Sequence, residues 1–103
     1  MQRIELIRSM LESHPTDNFL QHALALESMK IGQDDEARAL FQQILQRDPD
    51  YVGSYFHLAK MLERKGETEL ALSWYQKGME AARRVGDQHA YNELQAALED
   101  LQQ

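Results

Sequence analysis

Shifted by 34 residues, the chain aligns with itself: 18–51 falls on 52–85, and Leu24/Leu58, Ala25/Ala59, Gly32/Gly66, Ala37/Ala71 and Gln42/Gln76 coincide. Close substitutions keep the same frame, at Lys30/Arg64, Asp35/Glu69, Leu40/Trp74, Phe41/Tyr75 and Leu45/Met79. The frame extends upstream, where Ile7 falls under Phe41, Met10 under Ile44, Leu11 under Leu45 and Pro15 under Pro49. A period in this range marks a stacked array in which each unit buries its apolar face only against its neighbours. Residues 1–14 then read as the second half of a truncated repeat, followed by repeats at 17–50 and 51–85 and a closing segment at 87–103, all within one domain.

Local signals divide each repeat into two helices. Between 18 and 31 the apolar residues Leu20, Leu24 and Ile31 recur at helical spacing around small Ala23 and Ala25, which predicts a core-facing stripe. Thr16 or Asp17 is placed to cap its start, and Gly32 to end it in the left-handed conformation. Asp34, Asp35 and Glu36 then suit a new helix start, where the dipole favours negative charge. Ala37, Leu40, Phe41, Ile44 and Leu45 form one stripe, and Pro49 stops it. Asp50 is the expected cap of a third helix running from about Tyr51 to Lys65, with Tyr55, Leu58, Ala59 and Leu62 on one face. Gly66 ends that helix and Thr68 restarts the chain. Where Pro49 closed the first unit the second has Arg83, so this helix is expected to run on to Val85, with Gly86 breaking it and Asp87 capping the last one. That helix, 87–102, sets Ala90, Leu94, Ala97, Leu98 and Leu101 against Gln88, Gln95, Glu99 and Gln102, the one-sided pattern of an end cap.

Composition narrows the function. With 17 acidic against 11 basic residues the net charge is −6, which repels phosphate backbones and anionic lipid, so no nucleic-acid or membrane partner is expected. The N-terminal stretch is interrupted by Arg3, Glu5, Arg8 and Glu12, and no window approaches the roughly 20 apolar residues of a membrane span, which points to a cytoplasmic chain. The absence of cysteine removes disulfides, thiolate metal sites and thiol nucleophiles together. His14, His22, His57 and His89 form no metal-binding pair within a helix, although His22, His57 and His89 on successive first helices leave a three-histidine site to be weighed. The five glycines stand singly, so no loop cradles a phosphate. Asp34-Asp35-Glu36 and Asp48-Pro49-Asp50 imitate acidic ligand clusters but read better as helix starts. No catalytic residue, metal site or cofactor is expected.

The 34-residue period, the Leu-Ala pairs at 24–25 and 58–59, the turn glycines 32 and 66, the alanines 37 and 71, the aromatics 41 and 75 and the Asp-Pro at 48–49 resemble the tetratricopeptide repeat family. The resemblance covers nearly the whole chain and implies an all-α fold of helical hairpin repeats in an α-α superhelix with a C-terminal capping helix. Gln21 departs from it, standing where the family has an aromatic and the second unit has Tyr55, and so does Arg83 at the proline position. The resemblance also implies a non-catalytic protein–protein interaction module that takes a peptide or protein segment on a concave face lined by the first helix of each pair. Carried onto this chain, that face holds Phe19, His22, Leu26, Met29 and Lys30, then Gly53, Phe56, Lys60, Glu63 and Arg64. Phe19, His22, Leu26 and Met29 step by three, four and three residues, as do Gly53, Phe56, Lys60 and Glu63, the spacing of one helix face.

Three other readings stand beside this one. Phe19, Leu26 and Met29 would pack instead on the half-repeat helix. Alternatively, the apolar faces, with Ile4, Ile7, Leu11 or Trp74 and Leu101, would pair with a second copy as a homodimer. The half repeat also fits a segment cut from a longer array, against which the polar last helix reads as a finished end. Family members that grip chaperone tails place lysine and asparagine where this chain has His22 and Leu26, and further basic residues where it has Lys60 and then His89 or Glu93; only Lys60 supplies a firm positive charge, so that subclass is excluded.

Helices nested through small residues approach to about 8–10 Å, too close for a long side chain. Ala71→Leu is therefore expected to overpack the second hairpin and cost about 1–3 kcal/mol. Chemical denaturation checks this, and unchanged stability would contradict the hairpin.

Overall fold

A computed structural model describes residues 2–103 of the chain and contains, among them, six helices and no strand. They are α1 (Arg3–Ser13), α2 (Asn18–Lys30), α3 (Asp34–Arg47), α4 (Gly53–Arg64), α5 (Thr68–Val85) and α6 (Gln88–Gln102). They form two compact units, one up to Arg47 and the other Asp48–Gln103. In the first, α2 pairs with α3 and α1 packs on α2; in the second, α4 pairs with α5 and α6 packs on α5. No helix among the described residues is long and apolar enough to cross a membrane.

One device closes α2, α4 and α5. Gly32, Gly66 and Gly86 take φ of 78°, 81° and 75°, a conformation costly for any residue with a Cβ. Each glycine N–H returns to a carbonyl three residues back, and the next N–H to one five back: Gln33 to Ser28, Glu67 to Leu62 and Asp87 to Ala82. These bonds satisfy carbonyls that a helix end leaves open and turn the chain sharply into its next helix. Asp17 and Asp87 cap α2 and α6, accepting from the Leu20 and Ala90 N–H groups at 2.9 and 3.0 Å.

Two expectations need correction. Asp50 does not cap α4. The segment makes a further tight turn, with Tyr51, Ser54 and Tyr55 donating three residues back, and the helix starts at Gly53. Asp50 instead receives Arg84 Nε at 2.9 Å. Ile31 does not belong to the core stripe either, being 57% exposed. It sits beyond the last helical residue, Lys30, and the buried face of α2 comprises Gln21, Ala23, Leu24, Ala25 and Ser28.

Burial of Gln21 explains why an amide is tolerated in register with Tyr55. Gln21 Nε2 donates to the Pro15 carbonyl at 3.0 Å and its Oε1 accepts from Arg47 at 2.7 Å. Thirty-four residues on, the Tyr55 hydroxyl donates to the Pro49 carbonyl at 2.6 Å. Two different side chains thus tie the first helix to the carbonyl of the proline six residues before it. In the first unit Ile7, Ala23 and Leu24 make the core, with Ile4, Leu11 and Leu40 packed against it.

The hairpin contacts run through small residues: Ala25, Ala37, Ala59 and Ala71 are all fully buried. In the second unit Gly78 continues the contact inside α5. A Cβ added there would stand 2.7 Å from Tyr55 Cβ and 3.0 Å from a methyl of Leu94. Alanine in an exposed helix gains about 1 kcal/mol over glycine. At this site Gly78→Ala meets the rigid root of Tyr55, so overpacking of about 1–3 kcal/mol is expected to outweigh the gain. Urea denaturation checks the sign: Gly78→Ala should unfold at a lower midpoint, and a higher midpoint would contradict the close approach.

Candidate functional site

The first-helix residues nominated from the sequence lie on two faces, one in each unit. On α2, Phe19 is 69% exposed, which removes it from any packing on α1; that helix rests instead on Ala23 and Leu24 through Ile7. Leu26 and Met29 are half-buried on the same helix. The His22 ring meets Phe41 of α3 edge-on at 5.6 Å, so α3 orients it. Lys30 lies 3.4 Å from Glu27, whose carboxylate also takes Arg3 Nε at 2.7 Å.

On α4 the nominated residues meet more closely. Phe56 is half-buried and meets Tyr75 of α5 at 6.4 Å and His57 at 5.8 Å, both edge-on. Lys60 Nζ stands 5.9 Å from the centre of the Phe56 ring, within reach of its electron-rich face. The same ammonium lies 3.8 Å from Glu63, which also accepts the Tyr75 hydroxyl at 2.8 Å. Glu63 thus ties α4 to α5, while Arg64 is exposed at the end of the face. The buried residues of α4, among them Tyr55, Leu58, Ala59 and Leu62, complete the core without Phe56.

Two further side chains shape this face, His57 and Tyr75, of which only Tyr75 belongs to the repeat pattern, as the counterpart of Phe41. His57 flanks Phe56, and burial lowers its pKa, opposed by the charge of Glu93, so it stands beside the ring as a neutral imidazole near neutral pH. Tyr75 props Phe56 from α5, and burial, then the hydrogen bond to Glu63 and the charge of that residue, push its phenol up. Among the described residues no three His, Cys, Asp or Glu side chains come together to hold a metal ion. His89 instead lies 3.6 Å from Glu93 on α6.

The family model for the tetratricopeptide repeat matches residues 31–98. The chain belongs to the tetratricopeptide repeat family. It resembles a tetratricopeptide repeat domain protein from Salinibacter ruber at 42% identity over 84% of this chain. The solution structure of that protein superposes with a TM-score of 0.81, covering 88% of its chain, and the crystal structure with 0.79, covering 96%. A protein from Bordetella parapertussis is 28% identical, with a TM-score of 0.84 over 98% of this chain and 88% of its own. The type III secretion translocator chaperone SycD of Yersinia enterocolitica is 19% identical, with a TM-score of 0.85 over 96% of this chain and 69% of its own, and shares the fold. A search of the curated proteins returned no match. Tetratricopeptide repeats are protein-interaction modules, generally non-catalytic, and the all-α hairpins with a terminal capping helix found here are of that type.

The Tyr75–Glu63 contact has a pH signature. With its pKa raised, folded Tyr75 holds its proton where the unfolded chain, titrating at about 10, releases it; stability is full below that pH and falls as pH rises through it. Tyr75→Phe should cost about 1 kcal/mol at neutral pH through the lost hydrogen bond and make the decline between about pH 9 and 11 shallower. Thermal melts across that range check it, and an unchanged slope would contradict the contact.

Proposed function

We propose that the faces of α2 and α4 receive a segment of another polypeptide, with Phe19, His22, Leu26 and Met29 on one and Phe56, Lys60, Glu63 and Arg64 on the other. Residues 17–50 and 51–85 act as the two repeats that present these faces, with 1–14 as a half repeat and 87–103 as the cap. In the family the first helices line a concave face, and binding there is the reading we adopt.

One observation carries it: at a common register, both first helices keep a second stripe of large side chains outside the core. His22 corresponds to Phe56, Leu26 to Lys60, Met29 to Glu63 and Lys30 to Arg64. A helix already packed on one side gains nothing for folding from an exposed Phe19, and Phe56, braced by Tyr75, still leaves part of its ring uncovered. Phe56 offers a rigid apolar anchor, and Lys60 and Arg64 offer donors for a carboxylate or carbonyl of the partner. Glu63, held by Tyr75 and Lys60, fixes the lysine rather than meeting the partner directly.

The test is a titration of a partner captured by pull-down against the parent chain, Phe56→Ala and Lys60→Ala. Phe56→Ala should weaken binding at least about tenfold, the loss of one anchoring ring. Lys60→Ala should weaken it less and reduce its salt dependence. Undiminished binding by both variants would remove the face from the account.

A further inference from the structure

The 34-residue register shows a helix face that is covered in α3 and α5 and only partly covered in α1. In α5, Trp74 and Tyr75 meet Tyr55 and Phe56 of α4 at 6.0 and 6.4 Å, and Gly78 lies against Tyr55. In α3 the equivalent residues are Leu40, Phe41 and Ile44; Leu40 packs against the cluster of Ile7, Ala23 and Leu24, Phe41 meets His22 of α2, and Ile44 is fully buried. In α1 the equivalents are Leu6, Ile7 and Met10; Ile7 is buried against α2, but Leu6 and Met10 are 46% and 44% exposed. By register, α1 is a second helix that has no first helix on this face among the described residues.

The opposite condition holds at α6. It repeats α4 at an interval of 36, with Tyr55/Tyr91, Leu58/Leu94 and Leu62/Leu98 in register. Leu58 and Leu94 are both buried, but Leu62 is fully covered in its hairpin and Leu98 only half. Leu98 lines an open groove of about 320 Å³ with Gln76, Met79, Glu80 and Arg83 of α5. Met79 is likewise half-buried where its equivalent Leu45 is buried. By register, α6 is a first helix, and no second helix packs on this face among the described residues.

We propose that α1 of one copy docks in the α5–α6 groove of a second copy, with Leu6 and Met10 against Leu98 and Met79, completing an intermolecular helical hairpin. Charge supports this occupant. In the hairpins of this fold the end of the first helix meets the start of the second. The last turn of α6 holds Asp100 and no basic residue, with Glu99 just before it, while α1 starts at Arg3, in the position of Ala37 and Ala71; Arg3 gives its Nε to Glu27 of α2, and its side chain is still 69% exposed. Each charge is the sign its own helix dipole disfavours, and the antiparallel docking brings Arg3 to Glu99 and Asp100. The contact joins two different faces and is therefore heterologous.

Sedimentation velocity of the full chain from micromolar to millimolar concentration tests it, with circular dichroism and melting temperature confirming that each variant folds. The parent should show a mass that rises with concentration. Leu6→Glu/Met10→Glu and, separately, Leu98→Glu should each weaken association at least about tenfold. Mixed together, these variants should form a one-to-one heterodimer, because one keeps the groove and the other keeps the α1 face. Arg3→Glu should weaken association at low salt, and Asp100→Arg should restore it. A parent that stays monomeric throughout, a Leu98→Glu chain that still associates through α1, or mixed variants that remain apart would each overturn the proposal.

Discussion

Two helices can come to their closest approach only if they give up large side chains where they cross. In this chain that surrender is made by Ala25 and Ala37 in the first hairpin and by Ala59 and Ala71 in the second, all fully buried. The closeness this allows has consequences further out. It lets the Tyr75 hydroxyl reach Glu63 across the second hairpin and brings Phe41 edge-on to His22 in the first. It also leaves Gly78 no room for a methyl group between Tyr55 and Leu94. The large side chains of the first helices are then either core, as Leu24 and Leu58 are, or displaced to an outer stripe, as Phe19 and Phe56 are.

The repeat is held by equivalent functions more than by equivalent residues. A buried amide and a phenol, Gln21 and Tyr55, do the same work on the carbonyls of Pro15 and Pro49. The amide brings a second demand, since its oxygen must also be satisfied when buried, and Arg47 meets it from the end of α3. In the second unit Arg84 bonds both Asp50 and the Pro49 carbonyl, so an arginine near the end of each second helix binds at or just before the first helix it pairs with. The loss of proline at position 83 is what lets α5 run on to Val85 and Arg84 reach that site.

The repeat frame, the helix count and three of the breaks were legible because they rest on local chemistry: glycine at positive φ, Asp17 and Asp87 at helix starts, and alanines spaced for a crossing. What was not legible depends on partners distant in sequence. Gln21 and Ser28 look like surface residues until their side of α2 is seen to face inward. Ile31 continues the apolar period on paper, but the helix ends one residue before it. Asp50 looks like a cap because nothing in the local sequence announces the extra turn that moves the helix start to Gly53. At the candidate face, the stripe was readable from its spacing, whereas the bracing of Phe56 by Tyr75 and the capture of Glu63 were not, because both come from the facing helix.

If the small-residue contact is what makes the fold, each pair of helices must open as one body. Native-state hydrogen exchange, read amide by amide, measures this directly. The account predicts that the buried turns of α4 around Leu58–Leu62 and of α5 around Ala71–Tyr75 exchange with one shared opening free energy, and that α2 and α3 do likewise. Protection retained in α5 while α4 exchanges through a separate, lower-energy opening would contradict it.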